Sequence, residues 1–260
     1  MQSESDTPAV IVENLSVRYR TTLEKQPTVA SALMRLGRPK QEVKYIDAVT
    51  DLTFTIERGE FLGVIGHNGA GKSTLLRTIA GILPPSKGRI SVYGHVTTLL
   101  SVGIGFNKQL TGRENIRLSA LANGFSTKEI IGKEDEIAEF SELGEFIDYP
   151  MKTYSSGMYS RLGFAVVSHM DPDILLIDEA LSAGDASFRL KASKKIDEMM
   201  EKASAIILVS HGLQTINDMA TKCLWLDHGK AMGYGPSEEI IQAYEDSVSN
   251  THSIIVSEEI

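Results

Sequence analysis

The sequence predicts an α/β fold, and three stretches predict it. The apolar run Phe61-Leu62-Gly63-Val64-Ile65 passes through Gly66-His67-Asn68-Gly69-Ala70-Gly71-Lys72-Ser73-Thr74 into the helical pattern Leu75-Leu76-Arg77-Thr78-Ile79-Ala80. Strand, glycine-rich loop and helix in that order are the setting of a phosphate-binding loop. Two later runs, Ile174-Leu175-Leu176-Ile177 and Ile206-Ile207-Leu208-Val209, have the length and branching of buried strands and are separated by a helical pattern. The loop's glycines let successive N–H groups face one anion, and the helix N-terminus adds its dipole. Lys72 can reach the β- and γ-phosphates of a nucleotide and the Ser73 hydroxyl can ligate Mg²⁺, so the stretch reads as an ATP or GTP site rather than a glycine-rich turn.

Bulk properties narrow the setting. A chain of 260 residues holds one large α/β domain or two small ones with a sizeable core. Its 42% hydrophobic and 23% charged residues are ordinary for a globular protein. A formal charge of −8 argues against nucleic acid as the main partner, since phosphate-backbone binders carry basic faces. The single Cys223 cannot form an internal disulfide, fits a reducing compartment and reads as a small buried apolar residue. No apolar run has bilayer-crossing length, and Met1-Gln2-Ser3-Glu4-Ser5-Asp6 lacks the charge pattern of a signal peptide. Membrane contact is therefore expected through a partner.

In order along the chain, residues 1–8 read as a polar tail. Residues 9–19 carry Val10, Val12, Leu15 and Val17 among polar residues and read as a strand with a turn at Glu13-Asn14. Tyr19 at its end either stacks on a nucleobase or is an ordinary edge aromatic. Residues 20–44 stand apart. Their centre, Val29-Ala30-Ser31-Ala32-Leu33-Met34-Arg35-Leu36-Gly37, is helix-like with Gly37 and Pro39 as stop signals, and Arg20, Lys25, Arg35, Arg38, Lys40 and Lys44 make the segment basic in an acidic chain. It reads either as a solvated insertion or as a contact with a membrane partner or anionic headgroups.

Val49, Leu52, Phe54 and Ile56 mark a strand over 48–56, and Glu57-Arg58-Gly59-Glu60 a turn. The helix from Lys72 is expected to end near Gly81, before Pro84-Pro85. Short strands are expected over 88–92 and 96–100, a loop over 101–111, and helices from 112 to about 144 and over 156–170. After the 174–177 strand come a helix over 187–202, a strand over 205–209 and a helix over 213–219. A hairpin, 223–227 with 231–234, turns at His228-Gly229-Lys230, and a closing helix over 236–246 presents Ile240, Ile241 and Tyr244 on one face. There is no internal repeat.

The chemistry converges on strand ends. The 174–177 run delivers Asp178, which can hold Mg²⁺, and then Glu179, the natural general base for an attacking water. His211 follows the 205–209 strand, where it could bond a γ-phosphate and hold that water. The other histidines, among them His67 and His169, show no metal-ligand spacing. Tyr154-Ser155-Ser156-Gly157-Met158 opens a helix. A capping serine and Gly157 make its start a second anion site, which either serves the nucleotide of another copy or does nothing.

These motifs, with Ser182-Ala183-Gly184-Asp185, stand in the order and spacing of an ABC transporter ATPase subunit, which the chain resembles over about 9–246. The resemblance implies a P-loop NTPase, an ABC ATPase with a RecA-like core, an antiparallel β subdomain and a helical subdomain over about 112–170, flanked by tails at 1–8 and 247–260. It implies ATP and Mg²⁺ as ligands, held by Gly66, His67, Asn68, Gly69, Ala70, Gly71, Lys72, Ser73 and Thr74, with Ser73 and Asp178 on the metal. Lys72, Glu179 and His211 would carry the chemistry. Ser155-Ser156-Gly157-Met158-Tyr159 takes the place of the signature, usually LSGGQ, with Ser156 on the γ-phosphate held by the opposite subunit. Asp185 would be the D-loop aspartate, and Tyr19, or else Tyr45, the adenine-stacking ring.

Two departures mark a branch. Ser156 replaces the first signature glycine, with Met158-Tyr159 after the second, and no Q-loop glutamine stands near Ser101; Gln109 is the nearest. With Leu99-Leu100-Ser101-Val102-Gly103-Ile104-Gly105-Phe106, these resemble the exporters of cell-surface polysaccharides: wall teichoic acid first, then O-antigen and capsule. The resemblance implies a homodimer on the cytoplasmic face of the membrane, peripheral through an integral permease present in two copies, moving a lipid-linked polymer, with no nucleic acid. A soluble ABC ATPase acting on ribosomes or DNA is the reading from another class. One cassette, no sustained heptads and an acidic balance speak against it.

Overall fold

The computed structural model describes residues 7–23, 42–99, 105–122, 125–178, 185–210 and 212–258. Strands β1 (Val10–Leu23) and β2 (Glu42–Ile56) pair antiparallel, and β4 (Lys87–Val92) lines the other side of β1. The second sheet has the order β5 (Val96–Thr98), β6 (Ile174–Asp178), β7 (Ala205–Val209), β3 (Phe61–Ile65), β8 (Lys222–Asp227), β9 (Lys230–Pro236). Its first five strands run parallel and β9 closes it antiparallel.

Alternate residues of the parallel strands feed two cores, as strands buried on both faces must. Leu62, Val64, Ile174, Leu176, Ile207, Val209, Leu224 and Leu226 pack with helix α1 (Lys72–Ile79) and with Val12, Leu52 and Phe54 of the antiparallel sheet. Ile65, Leu175, Ile177, Ile206, Leu208 and Cys223 face the other way, onto helices that follow. Burial there pushes the Cys223 thiol up to about 12, so it is a packing residue and not a nucleophile.

Between β5 and β6 the chain forms α2 (Gly112–Ala122), α3 (Thr127–Ser141), two short 3₁₀ turns and α4 (Ser156–Ser168). Each of the first two begins with a capping box. Glu114 accepts from the backbone and hydroxyl of Thr111, and Ser126 and Glu129 cap reciprocally. Ile116, Ile130, Ile137, Ile147, Met151 and Leu162 close a third core. Buried Glu134 is held there by Arg113 and Arg117. Burial works to raise its carboxyl, and the two guanidiniums together overcome it, leaving it below the usual range. Helices α5 (Ala186–Lys202), α6 (Leu213–Met219) and α7 (Ser237–Glu258) complete the chain.

Three expectations change. The turn at Glu13-Asn14 is a bulge: the register slips between Val12 and Leu15, Asn14 takes φ 48°, and a Cβ on facing Gly88 would lie 2.3 Å from the Asn14 carbonyl. The flanks of the 20–44 segment are strand, since β1 and β2 stay paired out to Leu23 and Glu42; its helix-like centre and Lys25, Arg35, Arg38 and Lys40 lie outside the described residues. The closing helix starts after Pro236, which ends β9, and runs past Asp246 to Glu258.

The packing of α6 on β3 depends on a missing side chain. A Cβ on Gly63 would lie 2.3 Å from Cγ2 of Ile216, which is fully buried. Gly63→Ala is expected to lower stability by about 1–3 kcal/mol through overpacking, read from urea denaturation. An unchanged midpoint would contradict this contact.

Candidate functional site

The loop after β3 needs its glycines. Gly66, Gly69 and Gly71 have φ of 141°, 85° and 107°, in the left-handed region where a Cβ is costly. Two of them also sit where no side chain fits: a Cβ would lie 2.1 Å from the Leu226 carbonyl oxygen at Gly66 and 2.4 Å from that of Ala48 at Gly71. Gly71 starts α1 without any side-chain cap. The first N–H groups of that helix therefore keep their dipole directed at the loop, as an anion site requires.

Lys72 is almost wholly buried, and its Nζ donates to the carbonyl oxygens of Gly66 at 2.5 Å and His67 at 3.0 Å. Its charge is thus held inside the loop by the loop's own backbone. The Ser73 hydroxyl donates to Asp178 Oδ2 at 3.3 Å. Parallel pairing makes this meeting inevitable, because β6, β7 and β3 end at the same edge, the usual place for ligands in an open α/β sheet. Ala48, Asn68, Gly69, Ala70, Thr74 and Val209 complete the depression around Lys72, Ser73 and Asp178.

Tyr19 and Tyr45 separate cleanly. Tyr19 pairs with Ile46 and Arg20 with Tyr45, so the two rings lie on opposite faces of the β1–β2 ladder. Tyr19 has its hydroxyl 3.3 Å from Thr74 Oγ1 of the loop. Tyr45 instead lies under the Arg18 guanidinium, which pairs with Asp47. The Thr74 contact is invisible in the sequence, because it depends on the register of a distant strand.

Ser155 caps α4, accepting from Met158 N at 3.2 Å, and heads a second depression with Ser156, Gly157, Met158, Ser160, Arg161 and Asp185. It shares no lining residue with the depression at the phosphate loop. A Cβ on Gly157 would meet nothing among the described residues except Ser155 Oγ at 3.8 Å, so this chain does not itself demand glycine there. Asp185 caps α5 through Phe188 N and accepts from Ser187 Oγ, bonds that hold its carboxyl below the usual range. It also pairs with Arg161, a link between α4 and α5 that sequence reading missed.

Glu179, Ser182, Ala183, Gly184, Ser101 and His211 lie outside the described residues, although the strands leading to Glu179 and His211 end side by side at Asp178 and Val209. Gln109 sits in the turn before α2, bonded through its backbone to Asn107, and does not line the loop depression.

The sequence model of the ABC transporter family matches residues 49–182. The chain is 40% identical over 242 residues to the teichoic acids export ATP-binding protein TagH of Shouchella clausii, covering 93% of this chain and 66% of that one. It is 44% identical over 206 residues to the O-antigen export system ATP-binding protein RfbB of Klebsiella pneumoniae, covering 79% and 83%. Among solved structures, a post-hydrolysis dimer of the ATP-binding cassette MJ0796 bound to ADP and Pi superposes with a TM-score of 0.62 at 19% identity, covering 88% and 98%. The chain spans just under two thirds of the first relative's length.

The double role of Asp185 is separable. Asp185→Asn keeps a capping acceptor and loses the ion pair, whereas Asp185→Ala loses both. The alanine variant is expected to show the lower urea midpoint; equal midpoints would remove the cap from the account of α5.

Proposed function

The chain belongs to the ABC transporter family, and from that premise we propose that it hydrolyses ATP as one half of a homodimer powering export of a lipid-linked cell-surface polymer. Wall teichoic acid is the first cargo, with O-antigen or capsular polysaccharide as alternatives, a choice supported by the names of its relatives. The observation that carries the reading is the separation of two half-sites: a phosphate loop with a metal-binding pair, and a capped helix start that shares no residue with it.

In this reading ATP lies along the loop after β3. Lys72 moves from the Gly66 and His67 carbonyls to the β- and γ-phosphates, and the N-terminus of α1 receives the phosphate charge. Ser73 and Asp178 offer two hard oxygen donors 3.3 Å apart, a set that suits Mg²⁺. Bound there, Mg²⁺ would neutralise charge on the β- and γ-oxygens. Glu179 takes the proton of the attacking water and His211 fixes that water against the γ-phosphate. Tyr19 stacks on the base, being on the loop's side of the ladder. The opposing copy supplies Ser155, Ser156, Gly157 and Asp185, so closure and chemistry are coupled. The open space over Gly157 supports an approach by that copy.

The partner is an integral membrane permease, two copies for two ATPase subunits, with this chain peripheral on its cytoplasmic face. Among the described residues no helix is long and apolar enough to cross a membrane.

Glu179→Gln is expected to bind ATP and accumulate as a closed dimer by size exclusion while hydrolysis falls by about 10²–10⁴-fold. Wild-type turnover in that variant would sink the base assignment. Mixing tests the shared site: a Lys72→Ala chain and a Ser156→Arg chain, each inactive alone, form hybrid dimers with one intact site and regain hydrolysis. Hybrids that form without activity would count against a site built from two copies.

A further inference from the structure

His67 and the His228 turn belong to different parts of the sequence, yet the fold sets them together. The loop after β3 and the hairpin turn after β8 are joined backbone to backbone, Gly229 N donating to the Ala70 carbonyl at 2.9 Å. The turn is held in a tight form, with His228 at φ 44° and Gly229 at 78°. On this frame the His67 and His228 rings stand 4.8 Å apart, centroid to centroid. Asp227 lies between them, its Oδ1 2.7 Å from His67 Nε2 and 4.0 Å from His228 Nε2. One ligand atom from each of the three residues falls within 4.8 Å of the others.

We propose that His67, Asp227 and His228 bind a transition-metal dication, Zn²⁺ being the best match, at a site distinct from the Ser73–Asp178 pair. The donor set is two imidazole nitrogens and one carboxylate oxygen, which suits Zn²⁺ and leaves a fourth position for water; Mg²⁺ prefers an all-oxygen shell. The orientation of His67 is already that of a ligand. Its Nδ1 lies 2.6 Å from the Asn68 carbonyl oxygen, an acceptor, so Nδ1 carries a proton and Nε2 is the nitrogen turned to Asp227. Nε2 and the carboxylate face each other at 2.7 Å, and a metal dication between them takes the place that a proton would otherwise hold. The Asn68 carbonyl acts as the outer-shell acceptor that fixes the tautomer of a metal-bound histidine.

The geometry needs little adjustment. Tetrahedral ligation at about 2.0–2.2 Å places donor atoms roughly 3.4 Å apart. The His67–Asp227 pair must open from 2.7 Å and the His228–Asp227 pair close from 4.0 Å, while the two imidazoles, whose ligand atoms lie within 4.8 Å, come to the same spacing. His228, with 82% of its side chain exposed, has the freedom to turn. Sequence spacing gives no hint of this, since one ligand precedes the helix of the phosphate loop, while Asp227 ends the last parallel strand and His228 opens the turn after it.

The test uses the untagged full-length chain, free of nucleotide, titrated with Zn²⁺ by calorimetry and with Co²⁺ by visible absorption. One ion per chain, tetrahedral Co²⁺ bands and a Zn²⁺ affinity that falls at least tenfold in His228→Ala and in Asp227→Asn are expected, with excess Mg²⁺ failing to compete. His228→Ala should keep wild-type Mg–ATP hydrolysis in metal-chelated buffer, which separates this site from the nucleotide site. Unchanged Zn²⁺ affinity in both variants, octahedral Co²⁺ spectra, or no binding at 100-fold excess of Zn²⁺ over protein would each overturn the proposal.

Discussion

The arrangement of this chain depends on how closely three backbones approach one another at the phosphate loop. The Leu226 and Ala48 carbonyls occupy the places where side chains of residues 66 and 71 would begin. Gly229, in the hairpin turn, donates to Ala70 of the same loop. The loop is therefore moulded from outside by the end of β8 and the middle of β2 as well as by its own glycines. An isolated peptide of the same sequence would have to meet the entropic cost of its left-handed residues without those walls.

The two-sided burial of the parallel sheet explains why the rest follows. With Leu62 and Val64 committed to one core and Ile65 to the other, a one-residue slip of β3 would exchange the faces and strand apolar groups against the wrong partners. Register fixed in this way brings the ends of β3, β6 and β7 to a common edge, and Ser73 and Asp178 meet there across 105 residues of sequence. The helical part adds its own core. Phe140 joins it to the sheet, packing on Phe164 and Phe188.

Much of this was legible in the sequence wherever the signal is local. The strand–loop–helix, the capped start of α4 and the acidic end of β6 each depend on a handful of consecutive residues, and their expected places agree with the fold within a residue or two. What escaped sequence reading depends on distance. The bulge at Asn14 takes its form from Gly88, the Tyr19–Thr74 contact from the ladder beside the loop, and the Arg161–Asp185 pair from the packing of α5. His67 gave no metal signal because its companions arrive from β8. The closing helix is longer than its sequence signal, since polar residues after Asp246 blur the periodicity that marks its first turns.

One glycine has a wider reach than its size suggests. The Gly229 carbonyl accepts from Thr50 N at 2.7 Å while its own N–H goes to Ala70, so a single residue ties the antiparallel sheet, the hairpin and the phosphate loop into one body. The Tyr19 ring rides on that antiparallel sheet, and the Lys72 amine on the loop. The two backbones that carry them are consequently held at a set spacing by this pair of hydrogen bonds. A ligand that spans it is measured by length before any of its atoms react.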